Sequence, residues 1–196
     1  MSRLIKFVAA IAASLALSSA ANATVITFDT PSSMSSSGML FSGLNRLQCS
    51  TYFTQNTGYC RGLASGDWTA YSFGMMSVTK AGGGLFDFNG SYLTAAWNDN
   101  LNIDIIGYKN NVALYTQTKI VSDDFATYFN FNYTNIDRLT IRGYGGTDAG
   151  TPGGGEFVAY DNLTFNERQV PEPGSIALLG LGLAGLAAAL RRRTRA

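Results

Sequence analysis

The chain has 196 residues, with 14 basic and 13 acidic side chains and no histidine. The missing imidazole removes the Ser-His-Asp and Cys-His triads and the usual metallohydrolase ligands together. Between Thr24 and Gln169, 8 of the basic and 12 of the acidic groups remain, a net charge of −4 without a Lys/Arg stripe, so neither nucleic acid nor an anionic membrane surface is a suitable partner.

Met1 to Ala23 carries Arg3 and Lys6, an apolar stretch from Phe7 to Leu17, and Ala21-Asn22-Ala23 as a small-x-small cleavage site. This is the pattern of a secretory signal peptide, so the mature chain is expected to begin at Thr24. Residues 24–169 then form one domain of ordinary size. Export also decides how Cys49 and Cys60 are read. Two cysteines in an oxidising compartment predict a disulfide, worth ~2–3 kcal/mol for so short a loop. That loop carries Tyr52, Phe53 and Tyr59, rings that either meet a ligand or pack the loop down.

Strand signals follow one another, each bounded by Gly, Asn or Asp. Strands are predicted at Thr24–Phe28, Trp68–Phe73, Met75–Thr79, Gly84–Phe88, Tyr92–Trp97, Leu101–Tyr108, Val112–Val121, Ala126–Phe131, Ile136–Arg142 and Glu156–Phe165. Asn98-Asp99-Asn100 and Lys109-Asn110-Asn111 supply turn chemistry. Leu101, Ile103 and Ile105, and likewise Val112, Leu114 and Ile120, alternate with polar residues, and no segment of this region has a helical period. The expected fold class is all-β: an antiparallel, jelly-roll-like β-sandwich, flanked by an N-terminal signal helix and a C-terminal transmembrane helix.

Candidate chemistry in this body is sparse. Asn98, Asn100, Asn102 and Asp104 have the spacing of a calcium loop but lack its Gly and closing Glu, and read as turn plus strand. Gly143 to Gly155 is rich in glycine yet precedes a strand, so it lacks a helix N-terminus for phosphate and reads as a mobile surface loop. Asp123 and Asp124 sit after Val121 in what reads as a solvated turn. As neighbours they make a poor catalytic dyad, and Glu156 stands alone. In the last strand, Phe157, Ala159, Asp161, Leu163 and Phe165 share a face by period two. Asp161 is therefore either a buried carboxylate that requires partners, an acceptor of backbone N–H groups, or a solvent-facing residue at a bulge.

The chain ends in three parts: Val170-Pro171-Glu172-Pro173-Gly174-Ser175, an uncharged run from Ile176 to Leu190, and Arg191-Arg192-Arg193-Thr194-Arg195. As a helix the run covers roughly 22 Å, and the arginines favour the cytoplasmic side. Proline-rich collar, glycine-rich span and arginine cluster resemble, in order and spacing, the PEP-CTERM sorting signal of Gram-negative bacteria. The resemblance implies a sorting motif of Val170, Pro171, Glu172, Pro173, Gly174, Arg191, Arg192 and Arg193, occupying 170–196. It further implies a transient inner-membrane anchor, cleavage by an exosortase, and delivery to the cell surface or extracellular matrix.

Phe86 to Trp97, Gly107-Tyr108, Ile136 to Leu139 and Phe157 to Phe165 also resemble the β-sandwich often placed before such tails, which is similar to carbohydrate-binding modules. This second resemblance implies a structural Ca²⁺ site joining Asp161 of the last strand to Asp29 after the first, with Trp68, Trp97, Tyr108 and Tyr115 as candidates to stack on sugars. No ligand-binding residue is otherwise assigned. The expected function is that of an exported, non-enzymatic surface or matrix protein that binds exopolysaccharide in a biofilm; the alternative is a secreted, glycan-active hydrolase of jelly-roll type.

Overall fold

The clearest alternation in the sequence lies at the centre of the fold: Leu101, Ile103 and Ile105 are fully buried, and Asn102 and Asp104 between them are not. The computed structural model describes residues 23–51 and 56–166. Its elements are β1 (Thr24–Ile26), α1 (Pro31–Ser36), β2 (Met39–Ser42), β3 (Asn45–Gln48), α2 (Gly58–Arg61), β4 (Trp68–Phe73), β5 (Met75–Lys80), β6 (Phe86–Ala95), β7 (Asn98–Asp99), β8 (Leu101–Lys109), β9 (Val112–Val121), β10 (Thr127–Ile136), β11 (Arg138–Tyr144), β12 (Thr147–Asp148) and β13 (Phe157–Phe165).

They form two antiparallel sheets packed as a sandwich. The first runs β10-β6-β13-β4-β3, with β1 beside the end of β13, and the second runs β2-β5-β11-β8-β9. A short pair, β7 with β12, stands apart. The β8–β9 connection is a two-residue hairpin in which Asn110 (φ 52°) and Asn111 (φ 63°) both take the left-handed conformation, which asparagine tolerates better than most residues.

Between the sheets lies the main core, with Phe28, Met76, Phe88, Leu93, Ile141 and Leu163 among its fully buried members. Its buried tyrosines keep their hydroxyls bonded. Tyr133 donates to the Ile105 carbonyl at 3.1 Å, and Tyr160 shares a 2.7 Å hydrogen bond with the Ser72 hydroxyl. Burial pushes the Tyr133 phenol up to about 12 and raises that of Tyr160 as well. A second cluster forms on the far side of the first sheet. There Leu47, Cys49, Tyr59, Ala96, Trp97 and Ala159 pack together under the loop closed by the Cys49–Cys60 disulfide.

The predicted all-β sandwich and disulfide are present, and four readings are corrected. First, Gly84–Phe88 and Tyr92–Trp97 form one strand, β6, because Asn89-Gly90 stays extended beneath the ring of Tyr128. A Cβ on Gly90 would lie 2.3 Å from the Tyr128 hydroxyl. Second, β2, β3, α1 and α2 carry too little periodicity to be read, and Ile136 closes β10 where it had been placed at the start of β11. Third, the alternating apolar residues of β9 do not face inward, and only Val121 at its end enters the core. Val112, Leu114 and Ile120 are exposed, whereas Tyr115 leans over the open side of the sandwich to stack on Tyr133 at 4.7 Å. A register shift opposite Gly107 and Tyr108 sets that phase.

Fourth, β13 does not keep one face. Val158 and Tyr160 point into the main core, and after a shift at Asn162 (φ 50°) Leu163 and Phe165 do so. The extra residue reverses the alternation. Phe157, Ala159 and Asp161 therefore belong to the outer face, beneath the disulfide loop. The predicted signal helix, the C-terminal transmembrane helix, the sorting motif, Tyr52 and Phe53 lie outside the described residues. Among the described residues no helix is long and apolar enough to cross a membrane.

Candidate functional site

At one end of the sandwich, several strands run out together and their connections line a broad, open polar pocket of about 540 Å³. The floor is set by α2. Gly58 lies so close to β6 that an added Cβ would sit 1.6 Å from the Ala95 carbonyl oxygen, and its amide donates to the Ala96 carbonyl at 3.1 Å. This seating points Arg61, the last residue of α2, at the segment leaving β9. Its Nη1 reaches Asp123 Oδ2 at 3.2 Å and Asp124 Oδ1 at 3.1 Å. Asp124 is also turned by its own amide, which donates to the Ser122 hydroxyl at 3.1 Å.

The opposite wall comes from β7 and β12, which pair Thr147 with Asp99 and Asp148 with Asn98. Gly146 is required here: it has φ 75°, and a Cβ on it would lie 2.8 Å from the Asp99 carbonyl oxygen. Farther along, Gly153 sits directly on the Trp97 ring, which would be 2.5 Å from an added Cβ. Gly143 to Gly155, read from sequence as a mobile loop, is thus held by pairing, by the Ala149 amide on the Trp97 carbonyl (3.0 Å), and by Glu156 Oε1, which accepts the Gly145 amide at 2.6 Å.

The lining joins Arg61, Asp99, Asn100, Asp123, Asp124, Thr147, Asp148, Ala149 and Thr151. Asp123 and Asp124 are not equivalent, and Asp123 does not sit in the solvated turn expected of it. Asp123 is 4% exposed, and its carboxyl is raised above the usual range by desolvation first and then by the charges of Asp124 and Asp99, against which Arg61 acts. Asp124 is exposed. Thr151 Oγ1 is buried without a hydrogen-bond partner, an unmet group on the same wall. Phe125, 60% exposed, follows Asp124 directly. Sequence alternation could not find this constellation, because its members come from α2, the short β7–β12 pair with its flanking loops, and a turn. The one available signal was the adjacent Asp123-Asp124.

The second acid pair lies elsewhere. Asp161 is fully buried: its Oδ2 accepts the Ala64 and Ser65 amides, each at 2.8 Å, and its Oδ1 accepts its neighbour Asn162 at 2.7 Å. Burial raises its carboxyl, the three amides oppose that, and the charge of Asp29 adds to the rise. Asp29 Oδ1 accepts the Asp67 and Trp68 amides at 3.0 and 3.3 Å, and Gly66 (φ 57°) passes so close that a Cβ would lie 1.7 Å from that oxygen. The two carboxylates therefore both accept amides of the segment 64–68. What surrounds them is mostly N–H. Ca²⁺ takes roughly six to eight oxygen ligands, and this donor set does not fit it. Among the described residues no group of three or more Cys, Asp or Glu is placed to hold a metal.

The aromatic candidates are engaged within the fold. Trp97 meets Tyr59 edge to face at 5.2 Å, Tyr115 stacks on Tyr133, Arg138 lies 4.0 Å over Tyr108, and Arg46 lies 4.4 Å over Trp68.

The PEP-CTERM protein-sorting motif matches residues 169–193, and no curated protein matches the chain. Among solved structures, the chain is similar to a family 32 carbohydrate-binding module of NanJ from Clostridium perfringens in complex with galactose, at 12% identity over 73% of this chain and 99% of that one, with a TM-score of 0.39. It is also similar to CBM29_1, a family 29 module from Piromyces equi, at 9% identity over 81% and 99%, with a TM-score of 0.37. A third likeness is to TmCBM61 in complex with β-1,4-galactotriose, at 8% identity over 65% and 86%, also with a TM-score of 0.37.

Proposed function

We infer that the chain is exported, since the PEP-CTERM protein-sorting motif matches residues 169–193. Beyond that, we propose that exosortase processing delivers residues 24–169 to the cell surface or matrix, after transient anchoring in the inner membrane by the tail helix, and that the sandwich there binds exopolysaccharide without turning it over. The pocket at Arg61, Asp99, Asp123, Asp124, Asp148 and Thr151 carries this reading. Its volume of about 540 Å³ suits one or two sugar rings, and it presents carboxylates, a guanidinium, an amide and hydroxyls, groups that pair with neighbouring hydroxyls of a pyranose.

The test is retention of the intact protein on immobilised exopolysaccharide from its own host. Retention is expected without release of reducing ends, with a loss of about tenfold in affinity for Asp124→Ala. Retention unchanged by pocket substitutions would defeat the reading. One observation favours a hydrolase instead: Asp123 is biased toward its protonated form beside a second carboxylate, as a general acid would be. Against it, both carboxylates face one guanidinium nitrogen and do not stand on opposite sides of a cleft. Turnover of glycan that disappears in Asp123→Asn would decide for the hydrolase.

The Asp29–Asp161 corner has a structural part to play in this reading. It clasps residues 64–68 through backbone amides and thereby supports the outer cluster next to α2. No ion is required for that, so a melting temperature unmoved by EDTA is expected, and a lowered one would restore a calcium site.

A further inference from the structure

A sheet edge is a row of unpaired backbone groups, and proteins blunt such rows with short strands, register breaks, prolines or outward lysines. Three edge strands of this sandwich are blunted in these ways. β2 and β3 are four residues each, and β10 is broken by two register shifts, with Asn132 (φ 50°) and Asn135 (φ 56°) left-handed. β9 is not. It ends the second sheet, is ten residues long without a proline, and keeps unbroken register against β8 from Tyr115 to Val121. Among the described residues no strand pairs with its other side. Every second residue of an antiparallel edge strand turns its N–H and C=O away from its neighbour, so β9 offers an open ladder to an extended chain. The one charge on β9 does not guard it. Lys119 lies 5.7 Å over the ring of Phe129, which packs against the main core, so the ammonium is held on the side of the first sheet. The outer face of the strand carries Leu114, Thr116, Thr118 and Ile120, all exposed.

The order of residues along this edge makes it complementary to itself. When two copies of β9 run antiparallel about Gln117, Leu114 stands opposite Ile120 and Thr116 opposite Thr118, each twice, and Lys119 stands opposite Tyr115 and never opposite a second lysine. Apolar and threonine pairs are favourable cross-strand neighbours, and like charges are the unfavourable ones. A charged foreign strand would find no acid on β9 and a single base turned inward, whereas a second β9 needs no counter-charge. We propose that β9 is a dimer edge: two chains join through it about a two-fold axis at Gln117, merging their five-stranded second sheets into one continuous sheet. A strand pair about 30 Å long buries less than a standard interface of about 1,600 Å², so the association is weak, with a dissociation constant on the order of 10–100 µM. The inference is independent of the glycan pocket, which lies on other elements.

The experiment is sedimentation equilibrium of the intact chain in density-matched detergent, at low salt, over a concentration series reaching the millimolar range. A monomer–dimer equilibrium is expected. Leu114→Lys/Ile120→Lys sets two lysines opposite each other at both symmetric contacts and should weaken the dimer at least about tenfold. Leu114→Lys/Ile120→Glu sets opposite charges at the same contacts and should return the dimer to within about threefold of the wild type. Both side chains are exposed in the monomer, so each variant should keep the wild-type melting temperature in dilute solution. A monomer at every concentration overturns the proposal, and so does a dimer that the lysine pair leaves intact, which would place the contact elsewhere on the chain. Equal weakening by the two variants overturns the register and with it the self-complementarity. A chain that stays monomeric, and whose β9 amides gain protection from hydrogen exchange only when matrix extract is added, would give the edge to a foreign strand and overturn the dimer.

Discussion

The two sheets follow different rules. The second, β2-β5-β11-β8-β9, shows one register shift, at its edge strand, and its outer face is open to solvent. The first, β10-β6-β13-β4-β3, shifts register twice against β10 and twice along β13, with Asn132, Asn135 and Asn162 in the left-handed conformation, and around Leu47, Trp97 and Ala159 it is covered on its outer face as well. The regular sheet supplies burial. The irregular one also holds a polar position: Asp161, next to the shift at Asn162, faces the amides of Ala64 and Ser65. The pocket opens where the strands give way to loops, at the ends of β6 and β9. Regularity in this protein excludes water, and its interruption creates places for charge.

If that division is right, the costs of substitution should follow it. The largest is expected in the regular core, where Ile105→Ala should lose about 4 kcal/mol of unfolding free energy in a urea titration, a fully buried side chain being replaced by a void. Asp161→Ala should lose about 3 kcal/mol by leaving the Ala64 and Ser65 amides without an acceptor. A loss greater than that of Ile105→Ala would reverse the comparison and make the cover, not the core, the dominant source of stability. Opening the Cys49–Cys60 bridge by a double serine substitution should cost ~2–3 kcal/mol, measurable as a lower melting temperature than that of the wild type.

Smaller effects sharpen the contrast. Asp123 has a folded-state pKa raised above its unfolded value, so the folded protein holds its proton more tightly, and stability falls as pH rises through that window. Asp123→Asn should therefore gain on the wild type above the window and lose that advantage below it; a difference independent of pH would show that the charge is already compensated. The smallest change concerns hydroxyls. Thr94, fully buried, and Thr151 each leave Oγ1 unpartnered, so Thr94→Val and Thr151→Val should alter stability by no more than about 1 kcal/mol.

What the sequence disclosed tracks the same division. Leu101, Ile103 and Ile105 announced the regular sheet because their period matches a strand buried on one face. In β13 the same rule grouped Asp161 with Leu163 and Phe165, since an inserted residue at Asn162 leaves no mark on composition while reversing every side chain after it. The tail at 169–193 was legible because a sorting signal is a contiguous string. The pocket was not, because Arg61, Asp99, Asp123 and Asp148 come together only through the close seating of Gly58 and the β7–β12 pair, and neither shows in a local pattern.

The central claim is that the exported body binds glycan in the end pocket. Two-dimensional ¹H–¹⁵N NMR of the isotopically labelled protein, titrated with soluble fragments of its host's exopolysaccharide, tests this residue by residue. The expected result is saturable amide shifts at Arg61, Asp99, Asn100, Asp123, Asp124 and Thr147 to Thr151, with Asn102 to Tyr108 on the open sheet face unmoved. Shifts confined to that face, or none at saturating fragment, would contradict the account.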